Sequence, residues 1–139
     1  MLRRIGVSAW WTLVALILLY TTENLSEGIK VMSELILERP LLFVDLETTG
    51  LSTSLDRIVE LTVLKRYPDG TEEIRSKRIN PGVPIPAGAT AVHGITDEDV
   101  AHEPPFTQYA RSLREFIDGS DFAGFNAKRF DLPLLEAEF

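Results

Sequence analysis

Four consecutive apolar residues, Leu41-Leu42-Phe43-Val44, run directly into Asp45-Leu46-Glu47. A short unbroken apolar run of this kind reads as a strand buried on both faces of a sheet. Side chains alternate along a strand, so Asp45 and Glu47 point to the same face. Two ionised carboxylates at the end of a buried strand repel, and one of them tends to keep its proton. A divalent cation removes that conflict, and hard Mg2+ or Mn2+ prefers oxygen ligands. On spacing alone, a strand that simply ends in acidic residues at the surface stands beside the metal reading. A Walker-B strand would look similar, but it requires a glycine-rich loop ending in Lys-Ser or Lys-Thr, and the chain has none.

From Met32 onward the pattern is α/β. Arg57 to Tyr67 is rich in Ile, Val, Leu and Thr, and Pro68-Asp69-Gly70 is turn chemistry, so Thr71 to Asn80 should return as the second arm of a hairpin. The charges Glu72, Arg75 and Lys77 suit an exposed edge strand. Asn80 to Gly88, with three prolines and two glycines, reads as a loop. Thr96-Asp97-Glu98-Asp99 has capping-box spacing and predicts a short helix. Phe106, Tyr109, Ala110, Leu113, Phe116 and Ile117 share one helical face over Phe106 to Ile117, which Asp118-Gly119-Ser120 should end. Asp121 to Asn126 reads as a short strand. Asp131 to Phe139 begins a helix with Asp131 as its N-cap and Pro133 in its first turn.

Residues 1–31 are of another character. Arg3 and Arg4 precede an uncharged stretch from Ile5 to Thr22, the order found in signal peptides and signal anchors. That stretch is at the lower edge of the length needed to span a bilayer. Met32-Ser33-Glu34 also reads as a natural start, so residues 1–31 form either a dispensable hydrophobic extension or a membrane or export segment, and residues 32–139 form a partial domain. The soluble alternative places the protein in the cytoplasm, and the absence of cysteine fits a reducing compartment. A net charge of −7 argues against broad coating of a phosphate backbone. It leaves room for an enzyme that meets nucleic acid at one point through bound cations.

The full strings carry more than the spacing. Phe43-Val44-Asp45-Leu46-Glu47-Thr48-Thr49-Gly50-Leu51 resembles the first motif of the DnaQ-like 3′→5′ exonucleases of the DEDD superfamily, which include proofreading subunits of bacterial replicative polymerases. The resemblance continues, in family order, through Asp56-Arg57-Ile58-Val59-Glu60, Asn80-Pro81, Ile85-Pro86 and Val92-His93-Gly94-Ile95-Thr96-Asp97-Glu98. It ends at Ala123-Gly124-Phe125-Asn126-Ala127-Lys128-Arg129-Phe130-Asp131. It implies a ribonuclease H-like α/β fold, a mixed sheet with flanking helices in strand order 3-2-1-4, without the last strand and helix of the family.

The resemblance also implies roles. Asp45 and Glu47 match the metal ligands of the first motif and Asp131 that of the second, so these three would be the catalytic carboxylates holding two Mg2+ or Mn2+ ions. Thr48, Thr49, Gly50 and Leu51 fall where the family holds the terminal nucleotide, and Asn126 falls beside substrate and second-motif ligand. The implied reaction removes nucleotides from a single-stranded 3′ end of DNA, or of RNA, with a DNA polymerase as a possible partner; a membrane enters only if residues 5–22 are an anchor.

Two departures stand out. Phe125 replaces the histidine of the common second motif, and Asp131 lies five residues after Asn126 rather than four. The third motif, which carries a histidine or tyrosine and a fourth aspartate, lies downstream of what this chain contains. The expectation is impaired catalysis by these 139 residues, with a non-catalytic nucleic-acid- or nucleotide-binding remnant as the alternative. His93 reads as packing or substrate contact, and His102 as a surface residue.

Overall fold

A computed structural model of the chain describes residues 36–124 and 126–139. The expectations for residues 1–31, and that for Phe125, lie outside the described residues. The chain divides into two compact units, 1–37 and 38–139, and the second holds every element that follows. Among the described residues no helix is long and apolar enough to cross a membrane.

Strands β1 (Leu41–Thr48), β2 (Ile58–Arg66) and β3 (Glu72–Arg78) are followed by helices α1 (Ala87–His93), α2 (Asp97–Val100) and α3 (Phe106–Ile117), then β4 (Asp121–Ala123) and α4 (Asp131–Glu138). The sheet order is β3-β2-β1-β4, as expected, with β1 antiparallel to β2 and parallel to β4. Apolar residues of one face of β1 (Leu42, Val44, Leu46) and β2 (Leu61, Val63) meet Phe106, Leu113 and Phe116 of α3 and Leu134 and Leu135 of α4. Burying each such side chain contributes about 1.5–3 kcal/mol, so this layer decides where α4 sits. Lys65, on the same face, is also buried, and it is satisfied by donating from Nζ to the Phe116 carbonyl at 2.6 Å near the end of α3.

Four expectations need correction. β1 is not equally buried on both faces: its residues alternate between buried and half-buried, with Asp45 and Glu47 in the half-buried set. The stretch around Pro86 and Gly88 is no simple loop, because α1 starts directly after Pro86 and stops at Gly94 in the left-handed region (φ 75°). Proline costs little where a helix begins, and glycine ends one readily. β4 stops at Ala123: beyond it, Gly124 has φ 154°, and a Cβ there would lie 3.1 Å from the Ala127 Cβ. Asp131 is the first helical residue, not the N-cap, which is Phe130 without a side-chain cap bond. Pro133 has no amide to cap, and the Leu134 amide already donates to the Phe130 carbonyl at 3.1 Å, so the Asp131 carboxylate is not needed as a cap.

A register shift after Glu47 places Thr48 opposite Ile58, leaving Val59 as the extra residue of a bulge. Because one residue of slip sends a side chain to the opposite face, Ile58 enters the main core while Val59 joins a second cluster with Ile85, Ile95 and Val100. The capping box at Thr96 is formed: Asp99 donates its amide to the Thr96 hydroxyl at 3.3 Å and accepts the Thr96 amide at 2.9 Å.

Candidate active site

The half-buried face of β1 carries Asp45 and Glu47 across from Thr62 and Glu60 of β2. Glu60, directly opposite Glu47, is buried, and it accepts from Arg78 Nε at 3.3 Å. Burial and the charge of Glu60 raise the Asp45 carboxyl above the ordinary aspartate value. Burial first, then Asp45 and Glu60, push Glu47 from 4.5 up to about 7. These shifts are the electrostatic mark of negative groups crowded into a region of reduced hydration.

Asp131 reaches this group from α4. It is buried, which raises its pKa, and the Asp45 charge raises it further, while hydrogen bonds from its own amide and that of Leu46 act the other way. The fold thus brings Asp45, Glu47 and Asp131 into one electrostatic neighbourhood, although the second and third are 84 residues apart in the numbering of the chain. Among the described residues, no three His, Cys, Asp or Glu side chains are gathered tightly enough to hold a metal ion.

Residues following Glu47 form a braced turn. Thr48 donates its hydroxyl to the Gly50 carbonyl at 2.6 Å, and its own carbonyl pairs with His93 Nε2 at 3.2 Å. Because His93 Nδ1 accepts the Ile95 amide at 3.1 Å, Nε2 carries the proton and donates. Burial lowers the His93 pKa, against the opposing effects of the Thr48 bond and the Glu60 charge, so the neutral ring persists at neutral pH. Thr49 is buried, whereas Leu51 is 88% exposed and available to a ligand. Asn126 is exposed, with φ 56°, and its carbonyl accepts from the Arg129 and Phe130 amides at 2.9 and 3.1 Å.

Glu60, Asp56 and Glu138 were not singled out as site residues from the sequence. Glu60 and Asp56 lie within a stretch that carries the family resemblance, which was the available signal. Glu138 offered none. Its side chain binds the Ile58 amide at 3.1 Å and Arg57 Nη2 at 2.9 Å, tying the end of α4 to the start of β2. His102 is exposed, as expected.

The family model for exonucleases matches residues 42–139. The chain belongs to the exonuclease family. Its DnaQ-like resemblance agrees with the relatives it matches. It is 41% identical over 95 residues to a DNA polymerase III subunit epsilon-like protein of Rhodobacter capsulatus, covering 66% of this chain and 13% of that protein. It is 29% identical over 122 residues to the PolC-type DNA polymerase III of Streptococcus thermophilus, covering 88% and 8%. Among solved structures, E. coli exonuclease I in complex with an oligonucleotide superposes with a TM-score of 0.66 at 21% identity, covering 73% of this chain and 24% of that one. That likeness shows the fold, which is ribonuclease H-like. This exonuclease-family chain spans 13% or less of the length of those two relatives.

Proposed function

We propose that the chain carries the catalytic centre of a metal-dependent 3′→5′ exonuclease acting on single-stranded DNA ends. One observation carries this reading: Asp45 and Glu47 share a face at the end of β1, and Asp131 comes near enough from α4 for the Asp45 charge to raise its pKa. The donor chemistry fits a hard divalent cation, since all three groups are part-buried carboxylates held above their ordinary pKa values. Asp45, Glu47 and Asp131 are not gathered at metal-ligand spacing in this structure, so binding would draw them together around Mg2+ or Mn2+, which would activate a water at neutral pH and neutralise charge on the leaving oxygen.

The other residues bind and orient. Thr48, Thr49 and Gly50 form the turn against which the terminal nucleotide lies, and exposed Leu51 offers an apolar surface for its base. Asn126, five positions ahead of Asp131 and exposed, would contact the same nucleotide. An apolar contact of this kind accepts any base, as removal of terminal nucleotides irrespective of sequence requires. A DNA polymerase is the proposed partner, a reading supported by the names of the relatives. A cytoplasmic location agrees with the absence of cysteine.

The test is release of mononucleotides from 3′-labelled and 5′-labelled single strands with Mg2+ or Mn2+. DNA should be degraded from its 3′ end, and Asp45→Ala should cost far more than the about 10–100-fold typical of losing a residue behind a metal ligand. An RNA strand of the same sequence measures the preference for sugar. DNA binding with no release at any metal concentration would favour the non-catalytic alternative.

A further inference from the structure

Between β1 and β2 the chain makes a loop, residues 49–57, and one carboxylate organises it. Asp56 Oδ1 accepts the Thr49 hydroxyl at 2.8 Å, and Oδ2 accepts the Ser52 amide at 2.8 Å. The Thr49 hydroxyl in turn accepts the Arg57 amide at 3.0 Å, while the Thr49 amide donates to the Arg57 carbonyl at 2.9 Å. Both polar donors of Thr49 are therefore committed within the protein. By contrast, the Gly50 and Leu51 amides have no backbone acceptor among the described residues.

The carboxylate also packs over Gly50 itself. A Cβ built on Gly50 would meet Asp56 Oδ2 at 2.6 Å and Oδ1 at 2.7 Å, so any side chain there would push the Asp56 carboxylate off its bonds to Thr49 and Ser52. Here the glycine is required by a neighbouring acid and not by its own dihedral angles. We propose that Asp56 is a positioning residue, whose carboxylate holds Thr49 to Ser52 in the shape that receives the terminal nucleotide. The proposal rests on the reading above that Thr48 to Leu51 hold that nucleotide.

Asp56 lies outside the carboxylate group of β1 and α4 in its bonding: its partners are a hydroxyl and an amide of its own loop. Its loss should therefore loosen nucleotide binding and leave metal affinity in place. Losing charge-assisted hydrogen bonds of this kind corresponds to about a 10-fold change in affinity.

The experiment uses the full chain with deoxythymidine 5′-monophosphate as probe, at saturating Mn2+. Titration calorimetry reads nucleotide affinity, Mn2+ paramagnetic resonance reads metal affinity, and hydrogen exchange reads the Ser52 and Arg57 amides. Asp56→Ala should weaken the nucleotide by about 10-fold, keep Mn2+ affinity within about 2-fold, and speed exchange at both amides. Asp56→Asn, which keeps one acceptor, should recover part of the loss. Gly50→Ala should also weaken binding, but Gly50→Ala combined with Asp56→Ala should be no worse than the weaker single variant, because the shortened side chain makes room for the new methyl.

Unchanged nucleotide affinity in Asp56→Ala overturns the proposal, as does strict additivity of the two substitutions. Parallel loss of nucleotide and Mn2+ also overturns it, since Asp56 would then act on the carboxylate centre. If the wild-type chain binds no nucleotide while Asp56→Ala still speeds exchange at Ser52, the nucleotide reading fails and the bracing of the loop survives.

Discussion

The two walls of the candidate site are held in different ways. On the β1 side, the turn after Glu47 is tied at two places: His93, from 45 positions away, grips the Thr48 carbonyl, while neighbouring Asp56 and Arg57 hold Thr49 and Ser52. On the Asp131 side, the backbone hydrogen bonds between Asn126 and Leu132 are short-range ones, Arg129 and Phe130 to Asn126 and Leu132 to Ala127, and one bond, from the Leu46 amide to Asp131, reaches across to β1. Asn126, Lys128 and Arg129 are exposed. Asp131 is therefore located mainly by the burial of Leu134 and Leu135 and by Glu138 at the far end of the same helix. A strand-end wall is stiff because a sheet supports it, whereas a helix-borne carboxylate is only as well placed as the helix is packed.

That contrast can be broken most severely from inside the core. Leu134 is fully buried beneath α4, and Leu134→Ala should cost about 2–5 kcal/mol of unfolding free energy by urea denaturation. Hydrogen exchange should rise first in α4 and leave β1 protected, and equal loosening of β1 and α4 would erase the distinction.

The latch at the helix end should have the next largest effect. Glu138→Ala leaves the Ile58 amide without its acceptor, a loss of about 1–3 kcal/mol. Glu138→Gln can keep that bond through its amide oxygen, so it should cost less than Ala; equal costs would show that the Arg57 ion pair, with Arg57 about half exposed, is the main contribution. Mn2+ binding should weaken more than dTMP binding, because Asp131 rides on α4 while Thr49 and Ser52 keep their bonds to Asp56 and to the Arg57 backbone.

A substitution remote from both walls serves as reference. Thr96→Ala removes the N-cap acceptor of α2 and should cost about 1 kcal/mol, with Mn2+ affinity unchanged.

The smallest effect is on pH, since half-exposed carboxylates are screened by water. Asp45, Glu47 and Asp131 all have raised pKa values, so the folded state holds their protons more tightly than the unfolded chain. Below the unfolded values both states are protonated and nothing is lost. As pH rises through Glu47's interval, from 4.5 to about 7, the unfolded state ionises first and metal-free stability falls. The Tm in chelator should therefore drop from about pH 5 to about pH 8, and Glu47→Gln should flatten the slope. Added Mn2+ should restore Tm at the upper end, and a Tm that rises with pH in chelator would contradict the crowded-carboxylate account.

Much of the fold was legible because it is written in short periods. The stripe from Phe106 to Ile117 has helical spacing and became α3 with those bounds. The turn at Pro68-Asp69-Gly70 joined two strands, and Thr96 capped a helix. Misreadings fell where composition and position disagree. Pro86 and Gly88 suggested a loop, yet Pro86 sits where a missing amide is harmless and α1 runs on from it. The apolar pattern extends a strand to Asn126, but the left-handed backbone of that residue belongs to a turn.

The sequence by itself determined that Asp45 and Glu47 share a face, since alternation along a strand is a property of the backbone over three residues. It also determined family membership, through motifs in a shared order. Only the tertiary structure decided that Glu60 opposes Glu47, that Asp131 comes close enough for the Asp45 charge to act on it, and that Asp56 packs over Gly50. Glu138 reaches Ile58 across 80 positions of chain. Local periodicity has no term for such a distance; cross-strand register and the packing of α4 on the sheet supply it.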